Sequence, residues 1–251
     1  MIKIRNVSAG YNGEEILHDI DLDFEVGKVT VIIGPNGCGK STLLKTLIRL
    51  IPHTKGDIFV GEEPAENLDS RALATKVAYL PQNKRVPDIS VLRMVLHGRF
   101  AYLNYPRRYR AKDYEIAQKA LEQVGIGHLA EKNMSDLSGG TQQKVYIAAA
   151  LAQDTPVVLL DEPTTYLDIS HQLKAMELAK ELAAQGKAVV MVLHDLSHAF
   201  RVADTLVVMK DGKVCACGTP EEICENGVVE RVFEVQIEKV QIKGQWAYIC
   251  M

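Results

Sequence analysis

The sequence predicts an α/β protein with a parallel-sheet core, entered through an antiparallel β segment and interrupted by a helical insertion. Three observations predict it. An apolar run at Val29–Ile33 stops at Gly34 and gives way to a helical pattern over 41–50, the strand–turn–helix opening of a parallel sheet. Two further apolar runs, 157–160 and 188–193, have the composition of strands buried on both faces, and a helical pattern over 169–185 separates them. Residues 87–134 are polar and helical in pattern, with Val91, Val95, Ala117, Leu121 and Val124 as apolar teeth and no strong strand.

The remaining elements follow the same logic. Ile2, Ile4 and Val7, then Ile20, Leu22, Phe24 and Val26, recur with the period-two spacing of half-buried strands, and Asn12-Gly13 is a turn between them. In the helix over 169–185, Leu173, Met176 and Leu182 share one face, and Gly186 stops it. Segments 206–209 and 213–217 flank Asp211-Gly212, a favoured hairpin turn. The tail alternates again at Val235, Ile237, Val240 and Ile242, then at Trp246, Tyr248 and Cys250. Neither internal repeats nor low-complexity segments interrupt this order.

Bulk properties narrow the classes. The 251 residues are 47% hydrophobic and 24% charged, ample for a real core. A formal net charge of -3 argues against nucleic acid as the main partner. The longest apolar runs are far short of a membrane span, and the opening MIKIRNV has no apolar signal region, so a cytosolic chain is expected unless another protein holds it at a membrane. The five cysteines are irregularly spaced without a CxxC pair, which disfavours a disulfide framework or a zinc site. Cys215 and Cys217 read as neighbours on one face of a strand.

The chemistry begins after the first apolar strand. Gly34, Pro35, Asn36, Gly37, Cys38, Gly39, Lys40, Ser41 and Thr42 fit GxxxxGK[ST]. Glycines let backbone N–H groups curl around an anion, and the following helix turns its positive end toward it. Lys40 is placed to reach the β- and γ-phosphates of a nucleotide, and Ser41 to ligate Mg²⁺. At 157–162 an apolar strand ends in Asp161 and Glu162, delivering two carboxylates to the ligand crevice of a parallel sheet. Asp161 is expected to hold Mg²⁺ and Glu162 to orient or deprotonate the attacking water. His194 follows the run 188–193 and so occupies another strand's carboxyl end, where it could link a γ-phosphate to that water.

A family resemblance joins these parts. Leu137-Ser138-Gly139-Gly140-Thr141-Gln142-Gln143 resembles the LSGGQ signature of ATP-binding cassette (ABC) ATPases, and Gly140 lies 17 residues ahead of Val157, as in that family. Gln82 resembles the family's Q-loop glutamine, Tyr11 the aromatic that stacks on adenine, Tyr166-Leu167-Asp168 the D-loop, and His194-Asp195 the switch histidine. Thr141 departs from the usual glutamine, and Lys144 stands where arginine is common. The resemblance implies a P-loop NTPase core of the ABC ATPase type, with an N-terminal antiparallel β subdomain and a helical insertion. It assigns 1–84 and 137–251 to the ATP-binding core and 85–136 to a helical, permease-facing subdomain. ATP and Mg²⁺ are the implied cofactors, with Ser41, Gln82 and Asp161 toward the metal and Asp168 toward nucleotide. Ser138 reads as the cap of a helix that starts at the two glycines, whose positive end faces an anion. The family's arrangement is a head-to-tail dimer in which each signature closes on the partner's ATP.

Narrower likeness points to importers. Pro163-Thr164-Thr165-Tyr166-Leu167-Asp168, followed by His171-Gln172, resembles the cassettes that import iron-siderophores, haem and cobalamin. Gln153-Asp154-Thr155 and His97-Gly98-Arg99-Phe100 fit the same group. The implied partners are a second copy, a separate membrane permease and, indirectly, an extracytoplasmic substrate-binding protein; the implied location is peripheral, on the cytoplasmic face of the inner membrane. Another importer or exporter cassette, or a non-transport ABC ATPase, is the alternative; one signature and one phosphate loop in a chain this short weigh against the last. The basic cluster Arg107, Arg108, Arg110 and Lys112 reads either as a solvated charge run or, lying in the helical insertion, as a run near the membrane surface where it would meet anionic lipid.

Overall fold

A computed structural model describes residues 1–82, 84–242 and 245–250. The chain opens with β1 (Ile2–Tyr11) and β2 (Glu14–Phe24), an antiparallel pair turning at Asn12 and Gly13, both at positive φ. The central strand β3 (Val29–Ile33) follows, then α1 (Lys40–Leu47). β4 (His53–Val60) returns to pair with β1, and the short β5 (Glu63–Pro64) completes a four-stranded sheet of order β2-β1-β4-β5. Next come α2 (Ser70–Lys76) and β6 (Val77–Leu80). The helical stretch contributes α3 (Val91–Leu96), α4 (Ala111–Gln123) and α5 (Gly139–Ala152). β7 (Val157–Asp161), α6 (Ile169–Ala184), β8 (Ala188–Val192), α7 (Leu196–Val202) and β9 (Thr205–Lys210) restore the α/β alternation. β10 (Lys213–Gly218), α8 (Pro220–Glu225), α9 (Val228–Phe233) and the hairpin β11 (Ile237–Ile242) with β12 (Gln245–Cys250) end the chain.

The main sheet has the order β10-β9-β3-β8-β7-β6, parallel except for β10. Its strands alternate between two cores, because successive side chains point to opposite faces. Val31 and Ile33 of β3, Val158 and Leu160 of β7, and Val189 and Met191 of β8 join the helices on one face. Ile32, Val157, Leu159, Val190 and Val192 join α1 and the antiparallel sheet on the other. The unbroken apolar runs therefore come from a sheet covered on both sides.

Several boundaries differ from expectation. α1 stops at Leu47, since Arg49 turns to positive φ and Leu50 is exposed. Val26 is exposed too, beyond the end of β2. Elements β4, α2, β6, α8 and α9 carried no clear period. Cys215 and Cys217 lie exposed on β10, as read. The side chains of Ile242, Trp246 and Cys250 lie outside the described residues. Among the described residues, no helix is long and apolar enough to cross a membrane.

Candidate active site

The glycine loop between β3 and α1 is shaped by backbone that few side chains tolerate. Gly37 and Gly39 have φ of 80° and 103°. A Cβ on Gly34 would lie 2.3 Å from the Met209 carbonyl oxygen, so only glycine lets the loop leave β3 beside β9. Lys40 begins α1 and is buried; its ammonium donates to the carbonyls of Gly34 at 2.7 Å and Pro35 at 2.9 Å. Cys38 is buried in the same loop, and burial pushes its thiol pKa up against the pull of Lys40.

The carboxyl ends of three neighbouring strands converge on this loop. Asp161, the last residue of β7, is wholly buried. Its Oδ1 accepts from the Ser41 hydroxyl at 2.9 Å and its Oδ2 from the Tyr79 hydroxyl on β6 at 3.1 Å. Burial raises the Asp161 pKa, and these two hydrogen bonds oppose the rise. Glu162 follows with φ 53°, a left-handed conformation that costs on the order of 1 kcal/mol for a residue with a side chain. The strain turns its carboxylate out of the strand line: Oε1 sits 2.5 Å from His194 Nε2, and Oε2 accepts from the Thr165 hydroxyl at 3.3 Å. His194 lies just past the end of β8, and β7 and β8 are paired neighbours, so adjacent strand ends deliver acid and imidazole together. Ile16, Asn36, Gly37, Gly39, Lys40, Ser41, Thr42, Gln82, Glu162 and His194 line one cleft of about 740 Å³.

The signature lies apart. Ser138 is exposed and caps α5, its Oγ accepting from the Thr141 N–H at 3.3 Å and lying 2.9 Å from the Thr141 hydroxyl. Thr141, the departure from the family motif, thus joins the cap. Gly139 and Gly140 run beside the backbone of Tyr166, where a Cβ on Gly140 would lie 3.0 Å from the Tyr166 carbonyl oxygen. Tyr166 itself is 78% exposed at positive φ. Asp168 caps α6 through the His171 N–H at 2.9 Å and contacts the His171 ring at 2.8 Å; these hydrogen bonds hold its carboxyl below the usual range. Ser138, Gly139, Gly140 and Asp168 do not line the cleft. Nor does Tyr11, which stands half-exposed at the end of β1.

Four groups at the site were assigned no role from the sequence, Gln143 among them although it ends the signature stretch. Tyr79 and Ile16 reach it only because β6 pairs with β7 and β2 passes beside the loop. Gln143 is buried on α5 and donates to the Pro163 carbonyl at 2.8 Å, tying the signature helix to the turn after Glu162. Lys84 donates to the Gln143 amide oxygen and lies over the Tyr146 ring; burial pulls its pKa down to about 8, partly opposed by Asp161.

Comparison with known proteins agrees with this geometry. A family model described as "ABC transporter" matches residues 17–165. The petrobactin import ATP-binding protein FpuD of Bacillus anthracis is 38% identical over 239 residues, covering 94% of this chain and 88% of that protein. The ferric enterobactin transport ATP-binding protein FepC of Escherichia coli (strain K12) is 41% identical over 229 residues, covering 90% of this chain and 84% of that one. Among solved structures, an inward-facing metal-chelate type ABC transporter aligns with a TM-score of 0.84 at 27% identity, covering 100% of this chain and 96% of the other. Matched over more than half its length by the family model and nearly end to end by these relatives, the chain belongs to the ABC transporter family, as an ATP-binding subunit that hydrolyses ATP.

Proposed function

We propose that two copies of this protein bind two Mg-ATP at a shared interface and power the import of an iron-siderophore, haem or cobalamin-type chelate through a separate permease. The observation that carries the reading is the split site. One cleft gathers Lys40, Ser41, Glu162 and His194 beside Asp161, whereas the capped, exposed amino end of α5 meets no part of that cleft. A helix start with two glycines presents backbone N–H groups and a positive end to an anion, and the partner's nucleotide supplies one.

The roles follow from position. Gly34 to Gly39 wrap the phosphates with backbone N–H groups, with Pro35, Asn36 and Cys38 as loop spacers, and Thr42 continues the cradle in α1. Lys40 transfers its ammonium from the Gly34 and Pro35 carbonyls to the β- and γ-phosphates. Ser41 hydroxyl, Asp161 carboxylate and Gln82 amide are all-oxygen donors suited to a hard divalent cation. Mg²⁺, when bound with ATP, offsets charge on the β- and γ-phosphates. Glu162 accepts the proton of the attacking water, and His194, already within hydrogen-bond reach of Glu162, bridges it to the γ-phosphate. Tyr11 stacks on adenine. Asp168 and Ser138 act across the interface.

The helical segment 85–136 faces the permease, and 1–84 with 137–251 forms the nucleotide core. A groove of about 940 Å³, lined by Arg71, His97, Phe100, Leu103 and Tyr105 among others, is the seat for a short permease helix. The subunit then sits on the cytoplasmic face of the membrane, and a substrate-binding protein acts on it only through the permease. The names of FpuD and FepC support chelate import over export. The test is ATPase rate in vesicles holding the permease and this subunit. Loaded chelate-binding protein should stimulate it several-fold; stimulation by a lipophilic compound from the cytoplasmic side, with none from binding protein, would make it an exporter.

A further inference from the structure

The basic cluster after α3 has a built surface around it. From Ile89 to Lys112 the chain has six Lys and Arg and no Asp or Glu, in a protein whose net charge is -3. Four of the six, Arg107, Arg108, Arg110 and Lys112, fall in the exposed run that leads into α4. Among the described residues none of these four forms an ion pair. The next acid along the chain, Asp113, is buried and committed to Arg99 at 3.1 Å, so it does not neutralise them.

The same run carries apolar surface. Tyr105 is 97% exposed and Phe100 is 48% exposed, and the Arg107 guanidinium lies 4.7 Å from the Phe100 ring centre. The base of the run is held in place. Leu103 is buried, Arg71 donates to the Ala101 carbonyl at 2.7 Å and to the Asn104 side chain at 2.8 Å, and Tyr109 meets Tyr114 edge-on at 6.4 Å. A solvated charge run needs neither a fully exposed tyrosine nor such anchoring. Exposed cations without ion partners match the boundary of an anionic bilayer, where they meet lipid phosphates.

We propose that the exposed cations Arg108, Arg110 and Lys112, outside the groove assigned to the permease, form a contact surface for anionic phospholipid headgroups, orienting the subunit against the bilayer beside its permease. The inference rests on the reading of this chain as a membrane-peripheral transporter subunit. An acidic segment of the permease is the competing occupant. The cations Arg108, Arg110 and Lys112 separate the two, because none of them lines the groove assigned to the permease, whereas Tyr105 and Arg107 do.

The test is sedimentation of the subunit with permease-free vesicles of phosphatidylcholine alone or with roughly one third phosphatidylglycerol, at low and high salt. Binding should require the anionic lipid and weaken with salt. Each cation near such a surface contributes about 5-fold, so R108Q/R110Q/K112Q should weaken binding on the order of 100-fold, with nucleotide affinity unchanged as the check on folding. Equal binding to both vesicles, or a triple variant that binds like the parent, overturns the proposal. Assembly on permease in pure phosphatidylcholine is scored separately. If the triple variant is defective there while the parent assembles, the cations serve a protein partner; if the parent assembles on permease in neither lipid, the transporter reading itself fails.

Discussion

The phosphate loop and the signature are both glycine-rich starts of helices, yet the chain treats them differently. At the first, the helix begins in a lined cleft, its own lysine and serine facing two carboxylates at the end of β7. At the second, the helix of 14 residues begins in the open, closed only by its own Ser138 and Thr141 hydroxyls. The first is a site complete in charge; the second is half a site. Under the proposed pairing, nucleotide affinity and nucleotide hydrolysis are separable, the former belonging to one chain and the latter to two.

Breaking the catalytic side should give the largest effect. Glu162→Gln keeps the shape and removes the proposed base, so turnover should fall by roughly 100- to 1,000-fold while ATP binding and ATP-dependent pairing persist; single-turnover hydrolysis and analytical ultracentrifugation check both. Ser138→Arg attacks the other side. Pairing and hydrolysis should fall roughly 100-fold, with the isolated subunit's ATP affinity within about 2-fold of the parent by equilibrium dialysis. A collapse of that affinity would mean the signature serves its own chain. Tyr79→Phe removes one of the two hydroxyls on Asp161. The Mg²⁺ concentration for half-maximal hydrolysis should rise about 10-fold, with ATP binding in EDTA unchanged.

Smaller effects probe what joins the halves. Lys84 bridges to Gln143 on the signature helix, and its pKa of about 8 against 10.5 for a free lysine means the folded chain binds fewer protons than the unfolded one between those values. Stability attributable to this group therefore climbs as pH rises through that window, and the penalty for charging it is fully present below pH 8. Lys84→Met should raise the melting temperature at pH 7, with the gain fading toward pH 10.5. Last, Cys38 should alkylate slowly, and several-fold more slowly with Mg-ATP bound; equal labelling would place nucleotide away from the loop.

Much of this was legible because its signals are local. The run Val29–Ile33 with its glycines, and the run ending in Asp161 and Glu162, each state strand, turn and chemistry within a few residues. Ser138 as a cap was readable from its own neighbours. What escaped depends on partners distant in sequence. Tyr79 sits on a four-residue strand whose importance comes from lying beside Asp161, 82 positions later. Lys84 and Gln143 mean nothing until they meet, 59 positions apart. The helices α8 and α9, six residues each, are too short for a period to emerge, and α8 is fixed by the Thr219–Glu222 capping pair and Pro220.

The grip of Lys40 on the Gly34 and Pro35 carbonyls has a kinetic consequence. The tethered cation props the curvature of the loop from within. Nucleotide entry becomes an exchange of one set of oxygen acceptors for another, and departing product leaves behind no stranded charge. A subunit that must empty and refill in every transport cycle begins each round with its cradle already shaped.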